Sequence, residues 1–115
     1  MRAWLYAGFA LILSVSSASG ETWQPLKGAD IGAALAGVQL AYTDGASQRF
    51  YANGHTEYQD GRPSAGRWQV RGDQYCSVWP PSASWVCYDM FACADWLRFV
   101  GDSGVPSDGR VVQTW

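Results

Sequence analysis

A chain of 115 residues with 8 lysines and arginines against 10 aspartates and glutamates has room for one small domain and carries no basic stripe, which argues against a nucleic-acid partner. Its formal charge of −2 becomes −3 once a leader carrying one arginine is removed. Seven tryptophans and six tyrosines, beside few leucines and isoleucines, imply a thin core filled mainly by aromatic rings; the sharper alternative is that two or three of them line a binding surface.

Met1 to Gly20 has the pattern of an export signal. Arg2 supplies the charge, Ala3 to Val15 the apolar run, and Ser16-Ser17-Ala18-Ser19-Gly20 the small-residue exit, with cleavage after Ala18 or Gly20. The run is short for a membrane span, and a retained N-terminal anchor is the alternative. The expected mature chain, residues 21–115, is a single exported domain in an oxidising compartment, periplasmic or secreted and bacterial in style, with no stable membrane span.

After the leader, Asp30 is placed to cap a short helix ending at Leu35, with Gly37 closing it and Leu26, Ile31, Leu35 and Trp23 turned toward a sheet. The period then changes to two. Val38 to Tyr42 reads as a strand with Val38, Leu40 and Tyr42 inward, Asp44-Gly45 as a turn, and Gln48 to Ala52 as a strand with Phe50 inward. Asn53-Gly54 is a hairpin signal, His55 to Gln59 the next strand, and Asp60-Gly61-Arg62-Pro63 the exit.

The central stretch, Gly66 to Tyr88, is close to a mirror of itself about Pro80-Pro81. Tyr75-Cys76-Ser77-Val78-Trp79 runs in and Ser84-Trp85-Val86-Cys87-Tyr88 runs out, both rich in aromatic and β-branched residues, with Pro80 to Ala83 as the turn. Pairing Trp79 with Ser84 sets Cys76 opposite Cys87, with Cβ atoms roughly 4.5–5.5 Å apart, close to disulfide reach. The arm before it, Arg67 to Arg71, allows two registers. A two-residue turn at Gly72-Asp73 sets Arg67, Gln69 and Arg71 beside the cysteines; a three-residue turn aligns Val70 with Cys76 and Trp68 with Val78. Burial favours the second, which gathers Trp68, Val70, Cys76, Val78, Trp85 and Cys87 on one apolar face and leaves Gln69, Arg71, Tyr75, Ser77 and Trp79 on a mixed one.

Beyond Tyr88, Asp95 to Val100 reads as a strand with Leu97 and Phe99 inward. Asp102-Ser103-Gly104 and Ser107-Asp108-Gly109 read as turns, and Arg110 to Thr114 as an edge strand. The expected architecture is mainly β: a curved antiparallel meander or lipocalin-like partial barrel of seven or eight short strands with one short N-terminal helix.

Leu35-x-Gly37, Phe50 with Asn53-Gly54, Gly66-x-Trp68, Cys76-x-x-Trp79, Cys87-Tyr88 and a late aromatic strand together resemble small exported bacterial domains of the DUF995-like group. The resemblance covers most of residues 30–110. It implies a secreted β-rich domain with Cys76 and Cys87 paired, and no activity. Phe50-Tyr51-x-Asn53-Gly54 and Tyr58-x-Asp60-Gly61 resemble MORN repeats, but two partial units at irregular spacing read as hairpin chemistry.

Little in the chain suggests catalysis. Cys93 is the odd cysteine: a small buried hydrophobe, an alternative partner for Cys87, or a bridge between molecules. The single histidine, His55, shares a strand face with Glu57 and Gln59, and two ligands without a third make no metal site. A carboxylate hydrolase would need Glu57, Asp60, Asp89 and Asp95 to converge. The reading is therefore a non-enzymatic, disulfide-stapled β-domain without cofactor or metal. It would bind an unknown protein, small-molecule or glycan partner through Arg71, Tyr75 and Trp79, extended by Tyr51 and Tyr58. An inhibitor of a cell-wall hydrolase, presenting Pro80 to Ser84 as a plug, is the second reading, and the small hydrolase the third.

Overall fold

A computed structural model describes residues 22–115. The leader expected over residues 1–20 lies outside them. The elements in order are β1 (Gln24–Leu26), α1 (Ala29–Leu35), β2 (Val38–Tyr42), β3 (Ser47–Phe50), β4 (His55–Gln59), β5 (Pro63–Arg71), β6 (Gln74–Val78), β7 (Val86–Cys93), β8 (Trp96–Val100) and β9 (Pro106–Thr114).

Every sheet pairing is antiparallel, and the strands from β2 to β9 form a closed barrel. From β2 to β8 each strand pairs with the next. Closure is made by β9, which pairs with both β2 and β8. The Arg110 to Thr114 segment is thus a barrel strand and not an edge. Closure removes the unpaired backbone groups that an edge exposes. The short β1 adds to β7 beyond the point where β6 ends, pairing Leu26 with Met90 and Gln24 with Ala92.

The inward positions follow the period-two pattern. Val38, Leu40, Phe50, Trp68, Met90, Leu97 and Phe99 are buried in one cluster, joined by Ile31 and Leu35 of the helix. Those two helical residues have no exposed surface. The helix is one of the elements at the end of the barrel where β2 begins, and it closes that end. Asp30 does not cap it. Gly28 holds the N-cap position with no side-chain hydrogen bond, and Asp30 sits inside the first turn, where a carboxylate suits the helix dipole. Gly37 ends the helix as expected, at φ 76°, and a Cβ there would meet the Trp115 carbonyl oxygen at 2.8 Å. Trp23 lies away from the core, with the Arg98 guanidinium 4.1 Å from its ring centre.

The β5–β6 register is the two-residue turn, against the expectation from burial. Gln69 pairs with Cys76, Trp68 with Ser77 and Val70 with Tyr75. The cause is that β6 is buried on both faces: Tyr75, Cys76, Ser77 and Val78 are all buried, so hydrophobicity does not distinguish the sides. Trp68, Val70, Tyr75 and Ser77 face the barrel interior. Cys76, Val78 and Cys87 belong to the outer face, along with Gln69, Arg71 and Trp85. The mirrored pairing itself holds: Cys76 lies opposite Cys87, their Cα atoms are 4.0 Å apart, and the disulfide is formed. The intervening loop contains a cis peptide at Pro80-Pro81.

Ser107-Asp108-Gly109 is strand and not turn. Asp108 accepts two bonds from Arg98 on the adjacent strand, at 2.7 and 2.8 Å. Gly109 lies against the ring of Tyr42, where a Cβ would come within 3.1 Å.

Candidate functional site

The alternation that fills the helix end with Ile31, Leu35, Val38, Leu40 and the rings of Phe50 and Trp68 leaves the other end hollow. Four connections surround that end: residues 43–46, 60–62, 79–85 and 101–105. Beneath them lies an open cavity of about 510 Å³, within the size range of small-molecule sites. Its wall includes the rings of Tyr42, Tyr58, Tyr75, Trp79, Tyr88 and Phe99.

These rings support one another. Tyr75 meets Phe99 edge-on at 5.2 Å and Tyr88 at 5.9 Å between centres. Tyr42 meets Tyr58 at 6.0 Å, and Tyr58 meets Trp79 at 6.0 Å. Such arrangements favour aromatic pairs beyond their simple burial.

Three glycines make room for them. A Cβ on Gly66 would lie 2.7 Å from the Trp79 indole, one on Gly101 3.0 Å from the Tyr88 ring, and one on Gly109 3.1 Å from the Tyr42 ring. Each of these rings occupies space that a side chain on the glycine would take. The rings therefore coat the wall without filling the lumen.

The polar floor is hydrogen-bonded internally. Tyr42 donates to Gln48 Oε1 at 2.6 Å, and Gln48 Nε2 donates to Thr56 Oγ1 at 2.9 Å and to the Tyr75 hydroxyl at 3.4 Å. Thr56 donates to the Arg49 carbonyl at 2.7 Å, and the Trp79 indole donates to Ser77 Oγ at 3.2 Å. A buried polar network that satisfies itself is stable in a low-dielectric site.

Burial pushes the Tyr42 phenol well above its ordinary range, with smaller contributions from Tyr75, Tyr58, Tyr88 and Asp44. Burial lifts Tyr75 to about 12 against the opposing hydrogen bonds from Ser77 and Gln48. Tyr58 is raised by burial first, then by the charges of Asp44 and Asp60 and by Tyr88. These phenols are neutral at physiological pH. The Tyr58 and Tyr88 hydroxyls have no hydrogen-bond partner among the described residues, so both can bond to a guest.

Of the residues singled out from the sequence, the fold brings Tyr58, Tyr75 and Trp79 together, on the cavity wall and not on an outer face. Arg71 is outside the barrel, its guanidinium 4.7 Å from the Trp85 ring centre. Tyr51 is at the helix end, donating to Glu57 Oε1 at 3.0 Å and packed beside Trp115 at 5.4 Å. Of the other wall residues, Tyr42, Ser77, Tyr88 and Phe99 do not stand out in the sequence as binding candidates; Tyr42 and Phe99 read there only as inward core positions. The signal that could have found two of them is the pair Gly101 and Gly109, whose missing side chains leave space for the Tyr88 and Tyr42 rings; Gly66 does the same for Trp79.

Other chemistry-bearing residues are scattered. His55 lies 3.4 Å from Glu57 with both side chains largely exposed. Asp89 takes a bond from Gln74 at 3.1 Å, and Asp95 belongs to the turn between β7 and β8, at the opposite end from Asp60. Cys93 is a half-buried free thiol opposite Trp96. Among the described residues no three histidine, cysteine or carboxylate side chains are grouped to hold a metal ion.

The described domain is thus a disulfide-stapled, mainly β barrel with an aromatic cavity open at one end. Comparison of the chain with family models, curated proteins and solved structures finds no match.

Proposed function

We propose that this is an exported, non-enzymatic binding domain that takes a small, compact organic molecule into the open end of its barrel. The observation that carries this reading is the cavity itself: six aromatic side chains on its wall, three of them set against glycines, with two phenols that have no hydrogen-bond partner among the described residues. A void walled by rings offers dispersion contact to a guest, and free hydroxyls orient it. Export fits the Cys76–Cys87 disulfide, a bond that persists in oxidising compartments. No helix among the described residues is long and apolar enough to cross a membrane. The resemblance to the DUF995-like group points to the same bacterial envelope setting.

The test is a titration with the neutral fluorescent probe N-phenyl-1-naphthylamine. Saturable, one-to-one enhancement is expected, and it should vanish in Ser64→Trp, which places an indole on the exposed rim. Failure of the wild-type protein to saturate, or equal enhancement in the variant, would overturn the reading.

Exposure of Pro80 to Ser84 supports a second reading, an inhibitor that presents this loop to the cleft of a cell-wall hydrolase. Its test is inhibition of a secreted lysozyme, with loss of inhibition when residues 80–84 are replaced by glycine and serine.

A further inference from the structure

The chemistry of the wall narrows the class of guest, a step that rests on the binding reading. Among the described residues no lysine, arginine or histidine lines the cavity. Two carboxylate residues line it, Asp44 and the Arg98-paired Asp108, and two more lie on the connections around its mouth, Asp60 and Asp102 on the loop after β8. Among the connections at this end, the basic residue is Arg62. Arg98 lies on the outer face and is engaged by Asp108. Asp44 uses Oδ1 to accept the Ala46 N–H at 2.9 Å, which fixes the carboxylate at the rim.

Three kinds of guest can be compared on these facts. A carboxylate would pass an acidic mouth to reach a wall with no counter-charge. A primary ammonium is strongly hydrated and needs an acceptor for each of its three N–H groups; Gln48 Oε1 already accepts from Tyr42 and Thr56 Oγ1 from Gln48, so the wall offers it chiefly the two hydroxyls of Tyr58 and Tyr88. A quaternary ammonium has no N–H to satisfy. Its diffuse charge is attracted by the negative faces of tyrosine and tryptophan rings, and the rim carboxylates favour its entry.

We propose that the guest is an organic cation with a trialkylated ammonium head, held among the rings of Tyr42, Tyr58, Tyr75, Trp79 and Tyr88 with Asp44 at the entrance. The upward shift that Asp44 imposes on the Tyr42 and Tyr58 phenols agrees with its field reaching the wall.

The experiment displaces bound N-phenyl-1-naphthylamine with three soluble molecules of similar shape: choline, the neutral 3,3-dimethylbutan-1-ol, and the anion 3,3-dimethylbutanoate. Choline should displace the probe at a concentration about tenfold or more below the neutral alcohol, and the anion should be weakest. Asp44→Asn, which keeps the oxygen that accepts from Ala46, should shrink the choline advantage about threefold or more. Raising the salt concentration should weaken choline and leave the alcohol unmoved. Equal displacement by choline and the alcohol, preference for the anion, or no displacement by any of the three would each overturn the cation proposal. In all three cases probe binding itself would persist, and the cavity reading with it. Absence of probe binding would remove both.

Discussion

At the helix end of the barrel, Ile31 and Leu35 are wholly buried beside Val38, Leu40 and Phe50, and the connections are tight. At the other end the inward positions carry tyrosine, tryptophan and serine, and the connections between β6 and β7 and between β8 and β9 lengthen. The strands are shared, so the difference lies in side-chain choice. Aliphatic chains packed around the Phe50 and Trp68 rings interdigitate and close that end to native packing density. Large flat rings backed by glycine line the other and leave a lumen. The first end is a source of stability; the second holds a self-satisfied polar floor beneath a void, and that void is what a guest would fill.

Four substitutions or conditions probe this contrast. The largest effect is expected at the closed end. Leu35→Ala should cost about 4 kcal/mol in urea unfolding, because a buried leucine leaves a cavity the helix cannot collapse. Probe binding by the folded fraction should be unchanged. Replacing Cys76 and Cys87 together by alanine should cost about 3 kcal/mol, the chain-entropy value for so short a loop. Reduction of the wild-type protein should reproduce that loss.

The third effect is an alkaline one. Tyr75 is raised to about 12 in the fold, against roughly 10 in the unfolded chain. Between those values the unfolded chain has released its proton and the folded one has not, so stability falls as pH rises. The contribution is complete below pH about 10, and on the order of 2 kcal/mol is lost by pH about 12. Tyr75→Phe should flatten that part of the curve, measured as unfolding midpoints at several alkaline pH values. The smallest effect on stability belongs to Tyr58→Phe. Its hydroxyl has no partner among the described residues, so unfolding should move by less than about 0.5 kcal/mol while affinity for a hydroxyl-bearing guest falls.

Much of the closed end is legible in the residue order. Val38 and Leu40 alternate as inward residues must, Ile31 and Leu35 share the buried side of the helix, and Asn53-Gly54 marks the hairpin there; the mirror about Pro80-Pro81, which sets Cys76 against Cys87, is legible too but belongs to the barrel wall. The open end is harder to read for physical reasons. Burial on both faces of β6 removes the alternation that selects a register, so the pattern assigns Tyr75 and Ser77 outward when they face the lumen. Gly109 reads as a turn residue because glycine has two uses, a positive φ and the absence of a side chain; here the second applies, with the Tyr42 ring against it. Tyr58, Tyr75 and Trp79 stand out as aromatic binding candidates, and only closure of the barrel by β9 shows that they line a concavity. Arg71 and Tyr51 share the same composition cue but lie on the exterior and at the far end.

The contrast between the two ends is tested most directly by amide and indole NMR shifts on titration with 2-naphthol, a soluble neutral ring compound. The prediction is saturable shifts at the Trp79 indole and at the amides of Tyr42, Ser77 and Tyr88, with Ile31, Leu35 and Trp115 unmoved. Shifts confined to the helix end, or none at Trp79 at saturating ligand, would contradict it.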